Sequence, residues 1–376
     1  MSKTMNLTDK LHQEFVIDKL KDTDWELGNS GPLVIELDPT AVCDLACPGC
    51  ISEDLVSVGN SFSNDRLMEI GQEFIDCGVK AVILIGGGEP LAHPKTGELI
   101  SLLGKNDIHI GITTNGSFID RLIEPISEYS KWTRVSIDAA TDEMFTILRP
   151  TKGGKSKFKK IIENMRMLAK TKKGTLGFSY LIQTEADGPG IKTNVHEIYN
   201  AAVLAKDIGC DYFEVKPTYQ FRDGVVHTLM KHDKKYMDEA REKIELLDDL
   251  EDNNFKILKA INLENALNGV DVKQPKLYQN CPSTHLRTTV TPSGVYICPY
   301  WRGKNDYNIG DLNKMKFSDL WYGLERKEVM DRTDISVACD GIHCLRHETN
   351  NKCIDIKNKI ENNKAISSIT EFDRFI

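Results

Sequence analysis

Cys43, Cys47 and Cys50 stand at C-x3-C-x2-C spacing within VCDLACPGC. Thiolates are soft ligands that select zinc or iron–sulfur clusters. Three of them on one loop can hold three corners of a cubane and leave one iron open to another ligand. A structural zinc ion asks for four closed ligands, and no further Cys or His lies nearby in the sequence. The chain holds 10 cysteines. Cys281, Cys298, Cys339, Cys344 and Cys353 form a second group near the C-terminus, with Cys77 and Cys210 between the two groups. The N-terminus has no apolar segment or cleavage site of the secretory kind, so the protein is expected to be cytoplasmic, where thiols stay reduced. Two metal sites explain the cysteines better than disulfides do.

Gly86, Gly87, Gly88, Glu89 and Pro90 follow in ILIGGGEPLAHP. Glycines let backbone polar groups approach a ligand closely. Glu89 can pair with an ammonium, and Pro90 stiffens the turn. Alone, this run reads as a tight strand-to-helix turn. One β-α unit after the cysteines, it reads as part of the same site.

Positioning these residues requires a scaffold. Nearly apolar runs recur at 33–37, 81–86, 108–114, 134–138, 176–183 and 212–217, as expected for strands buried on both faces. Helical stretches at 66–78, 158–170 and 195–209 alternate with them. Six β-α units predict an α/β fold, a barrel or a doubly wound sheet; the expected form is a partial (β/α)6 TIM-like barrel, which would gather functional groups at the C-terminal strand ends. The cysteines, Gly86–Pro90, Thr113–Gly116, Ser136 with Asp138, Gln183 with Glu185, and Lys216 all fall at such ends. After residue 218 the alternation is expected to stop. The expected order is an N-terminal arm (1–30), the barrel (31–220), a helical connector (221–275) and a small β-hairpin-plus-helix domain (276–376). The hairpin turns at Pro292-Ser293-Gly294, and a helix is expected over 317–330.

The 376 residues are 40% apolar and 28% charged, an ordinary globular composition. A net charge of −8 argues against a broad nucleic-acid footprint, and no uncharged apolar run is long enough to span a membrane.

VCDLACPGC and GGGEP together resemble the radical S-adenosylmethionine (SAM) superfamily, over residues 33–218. The resemblance implies a [4Fe-4S] cluster on Cys43, Cys47 and Cys50, its open iron chelated by the amino and carboxylate groups of SAM. One electron then cleaves the sulfonium to methionine and a 5′-deoxyadenosyl radical that abstracts a substrate hydrogen. Gly86–Pro90, Thr114, Asn115, Ser136 and Asp138 are the implied SAM-binding residues. Arg149 is the implied catalytic candidate, holding the SAM carboxylate or orienting a polar substrate, with a surface salt bridge as the plainer reading. Gly49 departs from the pattern, since the position before the third cysteine is often aromatic there, so adenine is expected to lean on backbone near 177–183.

The C-terminal cysteines resemble the SPASM/twitch extension of the same superfamily. Five cysteines in place of about seven imply one auxiliary [4Fe-4S] cluster, on Cys281, Cys298, Cys339 and Cys344. The C-x4-C spacing of the last pair leaves Cys353 as a replacement for either. Cys77 and Cys210 read as core packing. The basic run 151–160 reads as a solvated face or, lying on a βα loop, as a contact for an anionic substrate, and Glu214 with Lys216 points to one side of its strand, lining the pocket or pairing within the barrel.

About 30 residues before the first strand are too few for an independent leader-binding domain. The expected substrate is therefore a small polar molecule (sugar, aminocyclitol or nucleoside), with a flavodoxin- or ferredoxin-type electron donor. The alternatives are a radical SAM maturase of ribosomal peptides and a non-catalytic zinc scaffold. An ordinary methyltransferase would place a glycine-rich turn, not cysteines, after strand one.

Overall fold

The structure is a computed structural model and describes residues 7–22, 30–222, 225–270 and 274–376. Strands β1 (Val34–Leu37), β2 (Ala81–Leu84), β3 (His109–Thr114), β4 (Ser130–Ser136), β5 (Thr175–Ile182) and β6 (Tyr212–Pro217) lie side by side in chain order, each parallel to the next. The six apolar runs are these strands. One face of the sheet sends Leu37, Leu84, Ile112, Val135, Phe178 and Val215 into the main core. Helices Asn64–Asp76, Thr96–Lys105, Phe158–Thr171 and Ile198–Ile208 cover that face. Leu67, Ile70 and Phe74 form the buried stripe of the first of these, and Ser63 caps it by accepting a bond from Arg66 N at 3.2 Å.

The alternation continues past residue 218. After an antiparallel pair, β7 (Tyr219–Arg222) with β8 (Val225–Leu229), helix Lys234–Glu245 leads to β9 (Lys256–Lys259), which joins β6 in parallel. The sequence hides β9 because it is a four-residue edge strand whose two lysines can stay wet, so it lacks the continuous apolar pattern of a buried strand. The acidic LLDDL forms the 3₁₀ turn Leu246–Leu250 that feeds it.

On the other side of β1, strand β10 (Arg287–Thr291) adds in parallel. It turns at Pro292-Ser293 into β11 (Gly294–Tyr296), and β12 (Asn308–Gly310) follows. The result is one open sheet of ten strands, β12-β11-β10-β1-β2-β3-β4-β5-β6-β9. The hairpin is thus built onto the barrel's own edge. Past it, the expected helix over 317–330 breaks into Phe317–Trp321 and Leu324–Arg332 at the extended Gly323. Arg66 reaches across from its helix to the Leu312 and Met315 carbonyls while pairing with Glu73, joining the two halves.

The concave side is closed at the N-terminal strand ends. Phe375 packs edge-on to Trp132 at 5.3 Å between ring centroids, Arg287 Nη1 donates to Ile376 O at 2.8 Å, and Lys10 pairs with Asp373 at 2.6 Å. Among the described residues no helix is long and apolar enough to cross a membrane.

Candidate functional site

The cysteine loop leaves β1 at the C-terminal end of the sheet and is held from three directions. The first is the glycine turn after β2. Glu89 N donates to Val42 O at 2.9 Å, and Gly87 N donates to Asp38 Oδ2 at 2.9 Å. A Cβ on Gly88 would stand 2.4 Å from Ala41 C and Val42 O, and one on Gly86 would stand 1.8 Å from Gly88 O. Gly88 therefore needs glycine so that the cysteine loop's backbone can touch it, and Gly86 so that the turn can fold back on itself. Gly87 has more room, its nearest contacts being Leu55 at 3.2 Å and Asp38 at 3.3 Å.

The second direction is the end of β3. Asp44, between the first two cysteines, accepts from Asn115 Nδ2 at 2.8 Å and from Ser117 Oγ at 2.7 Å, and pairs with Lys157. These donors outweigh burial and hold its carboxyl below the usual range. Asn115 Nδ2 also lies 3.9 Å from Cys43 Sγ. The third is the turn after helix Asp142–Leu148, which follows β4, where Ala46 N donates to Pro150 O at 2.6 Å.

Glu89 is buried, and both of its oxygens are engaged by the protein. Thr114 Oγ1 donates at 2.5 Å, Asn115 N at 2.7 Å and Leu91 N at 3.1 Å. Burial pushes its pKa up to about 7 against the pull of these donors. The side chain expected to meet an ammonium thus ties the glycine turn to β3. Asp138 adopts a left-handed backbone (φ 59°) just past β4. Its Oδ2 accepts from Arg149 Nε at 2.8 Å and from Nη2, and its Oδ1 accepts from Leu181 N at 2.8 Å. Arg149 and Asp138 therefore form a buried ion pair, in place of a surface bridge, and Arg149 acts electrostatically on Cys47. Ser136 lies half-buried on β4 opposite Ser179. A Cβ on Gly49 would stand 3.1 Å from Ile191 and 3.4 Å from Gln183, the side chains that flank this position.

Asp44, Ser117, Lys157, Asp38 and Arg302 escaped the sequence reading. Asp44 lies inside the cysteine motif, and Lys157 sits in a basic run that reads as solvated or substrate-facing. Asp38 ends β1 fully buried and pairs with Arg302, four residues past Cys298, at 3.2 Å; burial raises its carboxyl to about 6.

In the C-terminal segment, Cys281, Cys298, Cys339 and Cys344 line one pocket with Ile297, Trp301 and Ile342. Burial pushes Cys281 up to about 12, and Cys339 and Cys344 to about 11; Cys344 raises Cys281 and Cys339 further, while Lys276 pulls Cys344 down. Trp301 stacks on Tyr307 at 3.9 Å beside them. Cys353 lies elsewhere, fully buried with Leu11, Val34, Leu286 and Ile356. Cys210 is also core, while Cys77 is partly buried against it.

Among the described residues no three His, Cys, Asp or Glu side chains converge on a point as a single ion requires. A cubane places each thiolate on a different iron, so its ligands stand further apart than those of a mononuclear site. Both cysteine sets fit such a cluster in donor type, and the C-terminal set also in its buried, apolar surroundings.

Residues 37–192 match the model of the radical SAM superfamily. The GTP 3′,8-cyclase of Ectopseudomonas mendocina is 32% identical over 116 residues, 30% of this chain and 35% of that protein. The AdoMet-dependent heme synthase of Methanosarcina barkeri is 25% identical over 189 residues, half of each chain. The chain spans between a third and a half of the length of such relatives. Streptococcus suis SuiB, solved with S-adenosylmethionine, shares the fold with a TM-score of 0.58 at 17% identity, over 82% of this chain and 68% of that one. The chain carries a radical SAM domain over residues 37–192, the kind of domain whose cofactors are S-adenosylmethionine and a [4Fe-4S] cluster.

Proposed function

We propose that this protein is an enzyme in which Cys43, Cys47 and Cys50 hold the [4Fe-4S] cluster at the C-terminal mouth of the open barrel. The observation that carries this reading is the joint between the cysteine loop and the Gly86–Glu89 turn, two motifs whose backbones lie in direct contact. When bound, the cluster and SAM supply a 5′-deoxyadenosyl radical by reductive cleavage of the sulfonium. The chain's residues hold that chemistry in place. Asp44 and Ala46 fix the loop to β3 and to the segment around Pro150, the Gly86–Pro90 turn packed on that loop would meet the SAM amino acid, and Thr114, Asn115, Ser136 and the Arg149–Asp138 pair would serve the nucleoside side. Cys281, Cys298, Cys339 and Cys344 hold one auxiliary [4Fe-4S] cluster, which would take an electron from the substrate radical.

The substrate in this reading is a small polar molecule that is dehydrogenated, epimerised or dehydrated, with a flavodoxin- or ferredoxin-type reductant. The closed base of the barrel supports it. A peptide is the second reading, favoured by the similarity of fold to SuiB, which has also been solved with its precursor peptide SuiA.

The test is iron and acid-labile sulfide per chain after anaerobic reconstitution, followed by 5′-deoxyadenosine release with dithionite. About eight irons, falling to about four with all SAM cleavage lost in the Cys43→Ala/Cys47→Ala/Cys50→Ala protein, is the expected result. Bound zinc without iron would overturn the reading.

A further inference from the structure

Arg134 on β4 and Glu214 and Lys216 on β6 face one another across β5, on the concave side of the sheet. Glu214 Oε2 stands 3.0 Å from Arg134 Nε and 3.1 Å from Lys216 Nζ. The carboxylate side chain is 4% exposed, whereas each cation, though surrounded by protein, keeps 26% of its side-chain surface open. That combination marks groups lining the interior space of the barrel. The Arg134–Glu214 contact is also imperfect: neither atom is aligned for a hydrogen bond, and both are sealed from water.

The floor beneath these groups is built for them. A Cβ on Gly111 would lie 2.1 Å from the Trp132 ring, and one on Gly177 2.0 Å from the Tyr212 ring. The two glycines therefore let these rings lie across neighbouring strands. Arg134 stacks over Trp132 at 5.4 Å, and Phe375 closes Trp132 from below. Charge then decides what the chamber accepts. Neighbouring pairs on this side balance: Asp138 with Arg149, Glu36 with Arg287, and Asp38 with Arg302. Two cations against Glu214 leave this triad with one positive charge in excess, Tyr212 bonding Arg134 and Asp138 acting on Lys216 as well as on Arg149, and desolvation makes an excess charge costly unless a ligand answers it.

We propose that Arg134 and Lys216 form a subsite for a small anionic group, a carboxylate or a phosphate, at the buried end of the substrate. This deepens the radical SAM reading and rests on it for the word substrate. The anion displaces the misaligned Glu214 contact and takes a charge-assisted bond from each cation. The remainder of the substrate then points to the mouth where Asp138 and Arg149 lie. Glu214 keeps the empty site from carrying two bare cations.

The test is thermal unfolding of the full chain titrated with inorganic phosphate and, separately, with acetate at constant ionic strength. Saturable stabilisation by at least one anion is expected, weakened roughly tenfold in affinity in Lys216→Met and in Arg134→Met and largely kept in Lys216→Arg, since one charge-assisted bond is lost or kept. Glu214→Gln, which removes the competing carboxylate, is expected to tighten binding severalfold, an effect that no purely structural role for the triad produces. Preference for phosphate over acetate, or the reverse, identifies the group. Wild-type protein that neither anion stabilises saturably, or a Glu214→Gln protein that binds more weakly, overturns the proposal. Neither result touches iron content or SAM cleavage, so this inference fails separately from the radical reading.

Discussion

Asn115 Nδ2 donates to Asp44 Oδ1 at 2.8 Å, bridging the end of β3 and the cysteine loop after β1. Ser117 and Lys157 complete the same carboxylate's partners. The loop is short of regular structure around its cysteines, so this one side chain supplies much of its anchorage. Asp44→Ala removes bonds to a charged group worth about 1.5–3 kcal/mol. It is expected to lower stability by that order and to leave the N-terminal cluster incompletely loaded. Urea denaturation and iron content check both, and an unchanged protein on both counts refutes the anchoring role.

The glycine turn makes a graded prediction. Alanine at Gly88 or Gly86 meets backbone atoms that cannot give way, at 2.4 Å and 1.8 Å, whereas at Gly87 it meets the flexible Leu55 at 3.2 Å. Overpacking of the first kind costs about 1–3 kcal/mol or more. Gly86→Ala and Gly88→Ala are expected to destabilise and to abolish SAM cleavage, and Gly87→Ala to fold nearly as the wild type. Equal melting temperatures for the three would be inconsistent with the contact geometry.

The C-terminal cysteines separate by location. Cys298→Ala is expected to lose the auxiliary cluster, about four irons per chain. Cys353→Ala is expected to keep all the iron and lose roughly 1 kcal/mol of stability through a small core cavity. Iron loss in Cys353→Ala, with full loading in either Cys339→Ala or Cys344→Ala, would reassign the ligand set.

His109 provides a pH dependence remote from either cysteine set. It sits near Phe375, and burial, then Arg374 and Lys131, push its pKa down from 6.5 to about 4. Between those values the unfolded chain binds a proton that the folded chain does not. Stability contributed by neutral His109 is therefore complete above pH 6.5 and lost as the pH falls toward 4. His109→Gln is expected to flatten the fall in stability over this window, measured by urea denaturation at intervals from pH 4 to 7. A slope identical to wild type would show that His109 does not titrate this way.

Much of the fold was legible because burial on both faces writes a strand as a continuous apolar run. All six runs became strands of the parallel sheet, and helices 66–78 and 158–170 appear within two residues of their expected ends. Strand β9 was not legible, since an edge strand of four residues needs no such run. The contact between the cysteine loop and the glycine run was legible only from the two motifs together, since the glycine run alone reads as a tight turn.

Partnership was decided by tertiary structure. A sequence presents Glu89, Asp138 and Arg149 as polar residues at strand ends, equally fit to meet a ligand or one another. Only the packing of successive strand ends brings Glu89 to Thr114 and Asp138 to Arg149. The same holds for Cys353, whose helix sends Asn350 to the pocket while Cys353 itself packs with Leu11, Val34, Leu286 and Ile356. Local sequence sets which groups are available and which backbone can approach closely. Which buried charge answers which depends on distances across strands far apart in the chain, and those exist only once the sheet has formed.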